Sequence, residues 1–255
     1  MLTACTGLQK SPVNEQTALD VPNAEKIQIL LKESQNSPSP QRETKLLQAA
    51  ALMLKEGRRD LTEQTLDRVQ TSSLPFHLFA LYTEVNCELQ LLKGEYEQAR
   101  MALDADRLQN NFDTLSLDRQ ITLNLLRAEV YNLLGDHIAS AQQRIFINLL
   151  LNIENQKSNR DAIWNSLMQV GKAELSHYQE ISSRGEYLGW LDLALIAKSN
   201  QGDLDEQVRQ LNNWESRWQQ HPANGHLPGE LELIQELAAN RPKQIALLLP
   251  LTGKL

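Results

Sequence analysis

FHLFALYTEVNCELQLLKGEYEQARMAL, residues 76–103, is the stretch whose reading decides the fold. Leu78, Leu81, Tyr82, Val85, Leu89 and Leu92 recur at the three- and four-residue spacing that gathers apolar side chains on one face of an α-helix. Gly94 interrupts the run, and Tyr96, Ala99 and Leu103 resume it at the same spacing. Since glycine is the usual residue just past a helix end, the segment predicts a helix, a tight turn and a returning helix.

The same grammar appears on both sides of this hairpin. Upstream, Leu46, Leu47, Ala50, Ala51 and Leu54 run at helical spacing to Gly57, and Leu61, Leu66 and Val69 follow. Downstream, Ile121, Leu125, Ala128, Tyr131 and Leu134 lead to Gly135-Asp136, and Ile138, Ala141, Ile145 and Leu149 return. Ser158-Asn159-Arg160-Asp161 reads as a capping box opening a helix with Ile163, Leu167 and Val170. A last unit runs through Leu188, Leu191 and Leu195, turns at Gly202-Asp203, and returns through Leu204, Val208, Leu211 and Trp218. The turn glycines stand 37, 41 and 67 residues apart; the long last interval leaves room for one further hairpin, and no element boundaries stand out between Gly171 and Tyr187. Regular spacing of this kind marks stacked helix pairs.

Gly94-Glu95-Tyr96-Glu97-Gln98-Ala99 resembles the tetratricopeptide turn, in which the glycine permits the bend, the aromatic packs and the alanine lets two helices approach. Other units keep part of the pattern: His137 and Ser140 replace the aromatic and the alanine in one, and Gln207 replaces the alanine in another. The resemblance covers roughly residues 40 to 220. The expected fold is therefore all-α, with TPR-like helical hairpins over 23–240 stacked as an irregular right-handed superhelix.

Composition agrees. Only 5% of the 255 residues are aromatic, and 11 glycines and 9 prolines are few for this length, which favours helix over strand. A net charge of −7 gives no basic field for a nucleic acid, so none is expected as a partner. No apolar run approaches the roughly 18 residues that span a bilayer. Cys5 and Cys87 lack CxxC spacing, which argues against zinc or a disulfide framework; Cys87 reads as a buried thiol.

The two ends differ from the middle. Leu2-Thr3-Ala4-Cys5 reads as a lipobox, in which a small residue precedes the cut and the cysteine thiol takes the lipid, so Cys5 is the expected lipid-attachment residue. A complete signal would place a basic segment and an apolar stretch before it. The polar tract from Thr6 to Pro22 completes a lipobox-and-tether region over 1–22. Thr6, where an Asp would retain the protein at the inner membrane, points to the outer membrane, periplasmic side. Acyl chains on Cys5 would be the only membrane contact, and without its signal peptide the chain is expected to be soluble. After Asn240-Arg241-Pro242, the segment IALLLPLTGKL reads as a short buried strand and a turn. Residues 241–255 are thus expected to be a linker and the first strand of a truncated α/β domain.

Lipobox, polar tether, TPR-like helices and the Leu248-Leu249-Pro250-Leu251-Thr252-Gly253 segment, in that order, resemble the penicillin-binding protein activator lipoproteins, the LpoA family of Gram-negative bacteria. The resemblance implies that Leu248–Gly253 opens a domain like the periplasmic binding proteins. It also implies a non-catalytic regulator that activates a class A penicillin-binding protein, a peptidoglycan synthase, from the outer membrane, with this segment as the amino-terminal helical scaffold. A generic TPR-like envelope assembly adaptor is the alternative. A peptidoglycan lytic transglycosylase superhelix is a lesser one, since Glu215-Ser216 mimics that catalytic pair.

The residues offer little for catalysis. Thr252-Gly253-Lys254 lacks the first glycine of a phosphate loop, and His77, His137, His177, His221 and His226 show no HExxH or ligand spacing. His221 and His226, in the polar loop QHPANGHLPGE, read as solvated. Glu215 reads as a solvated helical residue, and Trp164, Trp190, Trp214 and Trp218 as packing residues, with peptidoglycan contact the lesser reading. No catalytic, cofactor or metal residue is expected, and no cofactor.

Overall fold

A computed structural model describes residues 22–183, 185–199 and 202–240. The lipobox with Cys5, the tether before Pro22 and the apolar run after Asn240 lie outside the described residues. Among those described, the chain is all-α, with thirteen α-helices and no strand. It divides after Ser166 into two compact units.

The first unit holds α1 (Asn23–Gln35), α2 (Gln41–Lys55), α3 (Arg59–Leu66), α4 (Phe76–Lys93), α5 (Tyr96–Leu103), the single turn α6 (Asp106–Gln109), α7 (Leu117–Leu133), α8 (His137–Asn148) and most of α9 (Ile153–Gln169). Sequential helices pack in pairs, α1 on α2, α2 on α3, α4 on α5 and α7 on α8, and the pairs join through α2 with α4 and α5 with α7. α4 is the hinge of this arrangement. Its Leu78, Val85 and Leu89 pack with Leu46, Leu47, Ala50, Leu54 and Leu66. Its opposite side, through Ala80 and Cys87, packs with Ala99, Leu103, Leu108, Leu123 and Val130. A helix apolar on two faces belongs inside an array and not at its edge, and the sequence reading of a single inward face missed the second.

The turns repeat one lock. After each of the first three glycines, the next residue's N–H reaches back five positions, from Arg58 to the Met53 carbonyl, Glu95 to Gln90 and Asp136 to Tyr131, each at 2.9 Å. This is the Schellman closure, and it requires a left-handed residue, as Gly94 shows with φ 78°. Gly94→Ala is expected to cost about 1 kcal/mol, from backbone strain alone, because an added Cβ would meet nothing within 4 Å. Urea unfolding followed by circular dichroism would measure it. In Gly135-Asp136 the aspartate then caps the next helix, its carboxylate accepting from the Ala139 N–H at 3.1 Å. Asp203 does the same for Glu206 at 3.0 Å, although Gly202 beside it is not left-handed.

Five positions beyond each glycine the chain is buried whatever the residue: Thr62, Ala99, Ser140 and Gln207. The polar occupants satisfy themselves, Thr62 by donating to the Arg58 carbonyl and Gln207 to that of Ser199. Three expected inward residues instead face solvent: Leu61 and Leu92, each 44% exposed, and Leu149, 75% exposed. All three sit in a terminal turn of a helix or just past its end, where a neighbouring helix no longer covers them.

The expected capping box at Ser158–Asp161 is corrected, because α9 begins at Ile153 and those residues lie within it. Asn152 is the cap, its side chain accepting from the Asn155 N–H at 2.8 Å. Ser158 bonds back to the Asn155 carbonyl, and Asn159 is buried, donating to the Arg144 carbonyl and to Asn148.

The second unit holds the end of α9, α10 (Lys172–Ile181), α11 (Glu186–Lys198), α12 (Leu204–Arg217) and α13 (Gly229–Ala239), with α10 packed on α11, α11 on α12 and α12 on α13. α10 is the element hidden in the long glycine interval. The turn before it passes Gly171 with φ −65° and ψ 148°, ordinary extended backbone that leaves no left-handed signature.

Candidate functional site

In the second unit α11 and α12 cross at Gly189. Trp214 donates its indole N–H to the Gly189 carbonyl at 2.8 Å. An added Cβ on Gly189 would lie 2.5 Å from His221 Cδ2, so the absence of a side chain is what admits the imidazole. His221 then sits edge-on to three tryptophans, its ring centroid 5.1 Å from those of Trp190 and Trp214 and 6.0 Å from that of Trp218.

The expectation that His221 is solvated is therefore corrected: it is buried, while His226 is exposed. Its Nε2–H donates to the Glu186 carbonyl at 2.9 Å, and Nδ1 accepts from the Ala223 N–H at 3.1 Å. A second ring proton would face the Ala223 donor and bring a charge among indoles. Burial accordingly pushes the His221 pKa down from 6.5 to about 4, with the Glu186 carbonyl and Asp192 opposing it. This histidine is a packing residue that organises the loop after α12.

Trp214 also lines a neighbouring groove of about 480 Å³ between α10, α11 and α12. Asp192 forms its floor with a side chain only 11% exposed. One oxygen accepts from the Gln179 amide at 2.5 Å, and the other from the Trp218 indole at 3.1 Å and the Arg217 guanidinium at 3.4 Å. Leu195 and Ile196 give the walls an aliphatic strip, and Lys172, Ser176, Asn213 and Arg217 a polar one. No sequence motif marks this site, because its residues come from three helices, one of which, α10, has no turn signal before it.

The other singled-out residues fall elsewhere. Cys5 lies outside the described residues. Trp164, Trp190 and Trp214 are buried in packing, as expected of them. Glu215 is half-buried on α12 and accepts from the Gln235 amide at 3.2 Å. Among the described residues, no group of three or more His, Cys, Asp or Glu is placed to hold a metal ion. Cys87 is buried on α4, and burial foremost, with Glu88 adding to it, pushes its thiol up to about 12. The thiolate is the reactive form, so Cys87 is expected to resist alkylation at pH 8 in the folded chain and to react once urea unfolds it. Peptide mass mapping, which separates Cys87 from Cys5, would check this.

Helix pairs closed by a recurring glycine lock define an all-α helical-repeat protein. Within that class, the chain belongs to the family described as "LppC putative lipoprotein", whose model matches residues 20–255. It is similar to the penicillin-binding protein activator LpoA of Edwardsiella ictaluri, with 30% identity over 263 residues, all of this chain and 36% of that protein. The protein of the same name from Vibrio cholerae is 25% identical over 255 residues, again all of this chain and 41% of that one. The chain thus spans about two-fifths of the length of these curated relatives. Among solved structures, the amino-terminal domain of Escherichia coli LpoA shares the fold with a TM-score of 0.58 at 20% identity, over 81% of this chain and 90% of that one. The corresponding Haemophilus influenzae domain matches with a TM-score of 0.60 at 19% identity, over 86% and 97%.

Proposed function

We propose that this chain is the amino-terminal helical scaffold of a lipoprotein that activates a class A penicillin-binding protein from the periplasmic side of the outer membrane, without catalysing a reaction itself. The observation that carries the reading is the correspondence of the whole chain with proteins named as penicillin-binding protein activators, together with the fold of their amino-terminal domain. In this reading, residues 1–22 are the lipobox and tether with acylated Cys5, residues 23–240 the scaffold, and residues 241–255 the linker and start of a binding-protein-like domain. None of the described helices is long and apolar enough to cross a membrane; in this reading the acyl chains on Cys5 carry the membrane contact. The turn between α8 and α9 supports a protein partner, since Phe146, Leu149 and Ile153 are 70%, 75% and 87% exposed there.

The test is to isolate the native full-length protein from its bacterium, weigh the Cys5 peptide, crosslink, and assay the purified synthase with and without it. An acylated Cys5, a crosslinked class A synthase and faster glycan polymerisation or crosslinking are expected. An unmodified Cys5 would overturn the anchor, and an unstimulated synthase would leave the adaptor reading in its place.

A further inference from the structure

The groove of the second unit has no part in the activator reading, and its chemistry is specific enough to name an occupant. Its size, about 480 Å³, falls within the range of small-ligand sites. Its one lining carboxylate, Asp192, is already engaged by Gln179 and Trp218. The cations are not so engaged. Lys172 is exposed and makes no hydrogen bond or ion pair among the described residues. Arg217 is 68% exposed and touches Asp192 through a single NH1 contact at 3.4 Å. In a chain of net charge −7, this mouth is locally cationic.

The remaining lining decides the kind of anion. A sugar would need an aromatic face on which to stack, yet Trp214, the aromatic that lines the groove, is only 2% exposed. Leu195 and Ile196 offer an aliphatic wall, and Ser176 and Asn213 offer hydroxyl and amide groups. We infer that the groove binds a short extended peptide by its free carboxylate, with Lys172 and Arg217 holding the anion, Asn213 meeting a peptide group, and Leu195 and Ile196 taking an aliphatic side chain. Hydrogen bonds between ionised partners are about twice as strong as neutral ones, so the carboxylate sets the affinity.

Calorimetric titration of the full chain at low salt tests the site with three probes: acetyl-tetra-alanine with a free carboxylate, the same peptide amidated at its C-terminus, and chitotriose. The free acid is expected to bind at least about tenfold more tightly than the amide, and Lys172→Ala and Arg217→Ala are each expected to weaken it by about tenfold. Both side chains are exposed, so neither variant should shift the melting temperature, which separates lost binding from lost fold. Equal binding of acid and amide, binding unmoved by both substitutions, or no binding of the acid up to about 10 mM would overturn the proposal. Chitotriose binding abolished by Asn213→Ala would overturn it in favour of a glycan. Free carboxylates of this kind occur on cell-wall stem peptides and on protein C-termini; a purified stem peptide binding more tightly than the tetra-alanine assigns the first source, and the reverse order the second. A synthase stimulated equally by the wild type and by Lys172→Ala would show that this site and the activator reading stand or fall separately.

Discussion

Trp190→Ala is expected to remove about 4 kcal/mol of folding stability, near the middle of the range for truncating a buried indole. The side chain is wholly buried on α11, so its deletion loses the transfer energy of a large ring and leaves a void between α11 and the loop carrying His221. Its N–H also donates to the Glu186 carboxylate at 3.4 Å. Burial already raises the pKa of Glu186, and this hydrogen bond opposes the rise, so losing the donor leaves a poorly solvated acid with less support. Trp190→Phe keeps most of the volume and is expected to cost about half as much. Urea unfolding by circular dichroism distinguishes the two, and a loss below about 1 kcal/mol for the alanine variant would mean that this ring is not structural.

Acid is expected to weaken the fold through His221 well before the carboxylates titrate. In the unfolded chain this imidazole takes up its proton near pH 6.5, whereas in the folded chain it does so only at about 4. Between those values the unfolded state binds more protons, so stability falls as pH falls. The contribution is intact above pH 6.5, is lost progressively to about pH 4, and amounts to about 3 kcal/mol at 1.36 kcal/mol per pH unit. Glu186 works the other way, because its raised pKa makes the folded state easier to protonate than the unfolded one. Glu43 acts later: burial would raise its pKa, but Arg42, its own backbone N–H and Ser39 hold it below 4.5, so its stabilisation fades only at still lower pH. Comparing wild type with His221→Gln at pH 7 and pH 4 isolates the imidazole. The wild type should lose about 3 kcal/mol more than the variant, and equal losses would show that His221 is not the titrating group.

The all-α fold was legible because its signals are local. Leu78, Val85 and Leu89 share a face by spacing alone, and Gly94 marks its turn because only glycine takes that backbone cheaply. The failures are equally physical. α10 leaves no signal because the turn at Gly171 uses extended backbone, and the start of α9 is masked because Ser158 and Asn159, within it, belong to the residue types that also cap helices. The polar neighbours of His221 in sequence point to solvent, whereas its environment comes from Trp190 and Trp214 on two helices and from the space left by Gly189. The groove needs α10, α11 and α12 brought together, and no single window of sequence contains it.

The double role of α4 has a consequence for how the first unit comes apart. Leu78 and Val85 belong to one hydrophobic cluster, and Ala80 and Cys87 to the next. Loss of either cluster would strip this helix of half its burial and so weaken the other. Residues 41–133 are thereby tied into a single melting event: the hairpins repeat like separate modules in sequence, but α4 makes their unfolding cooperative.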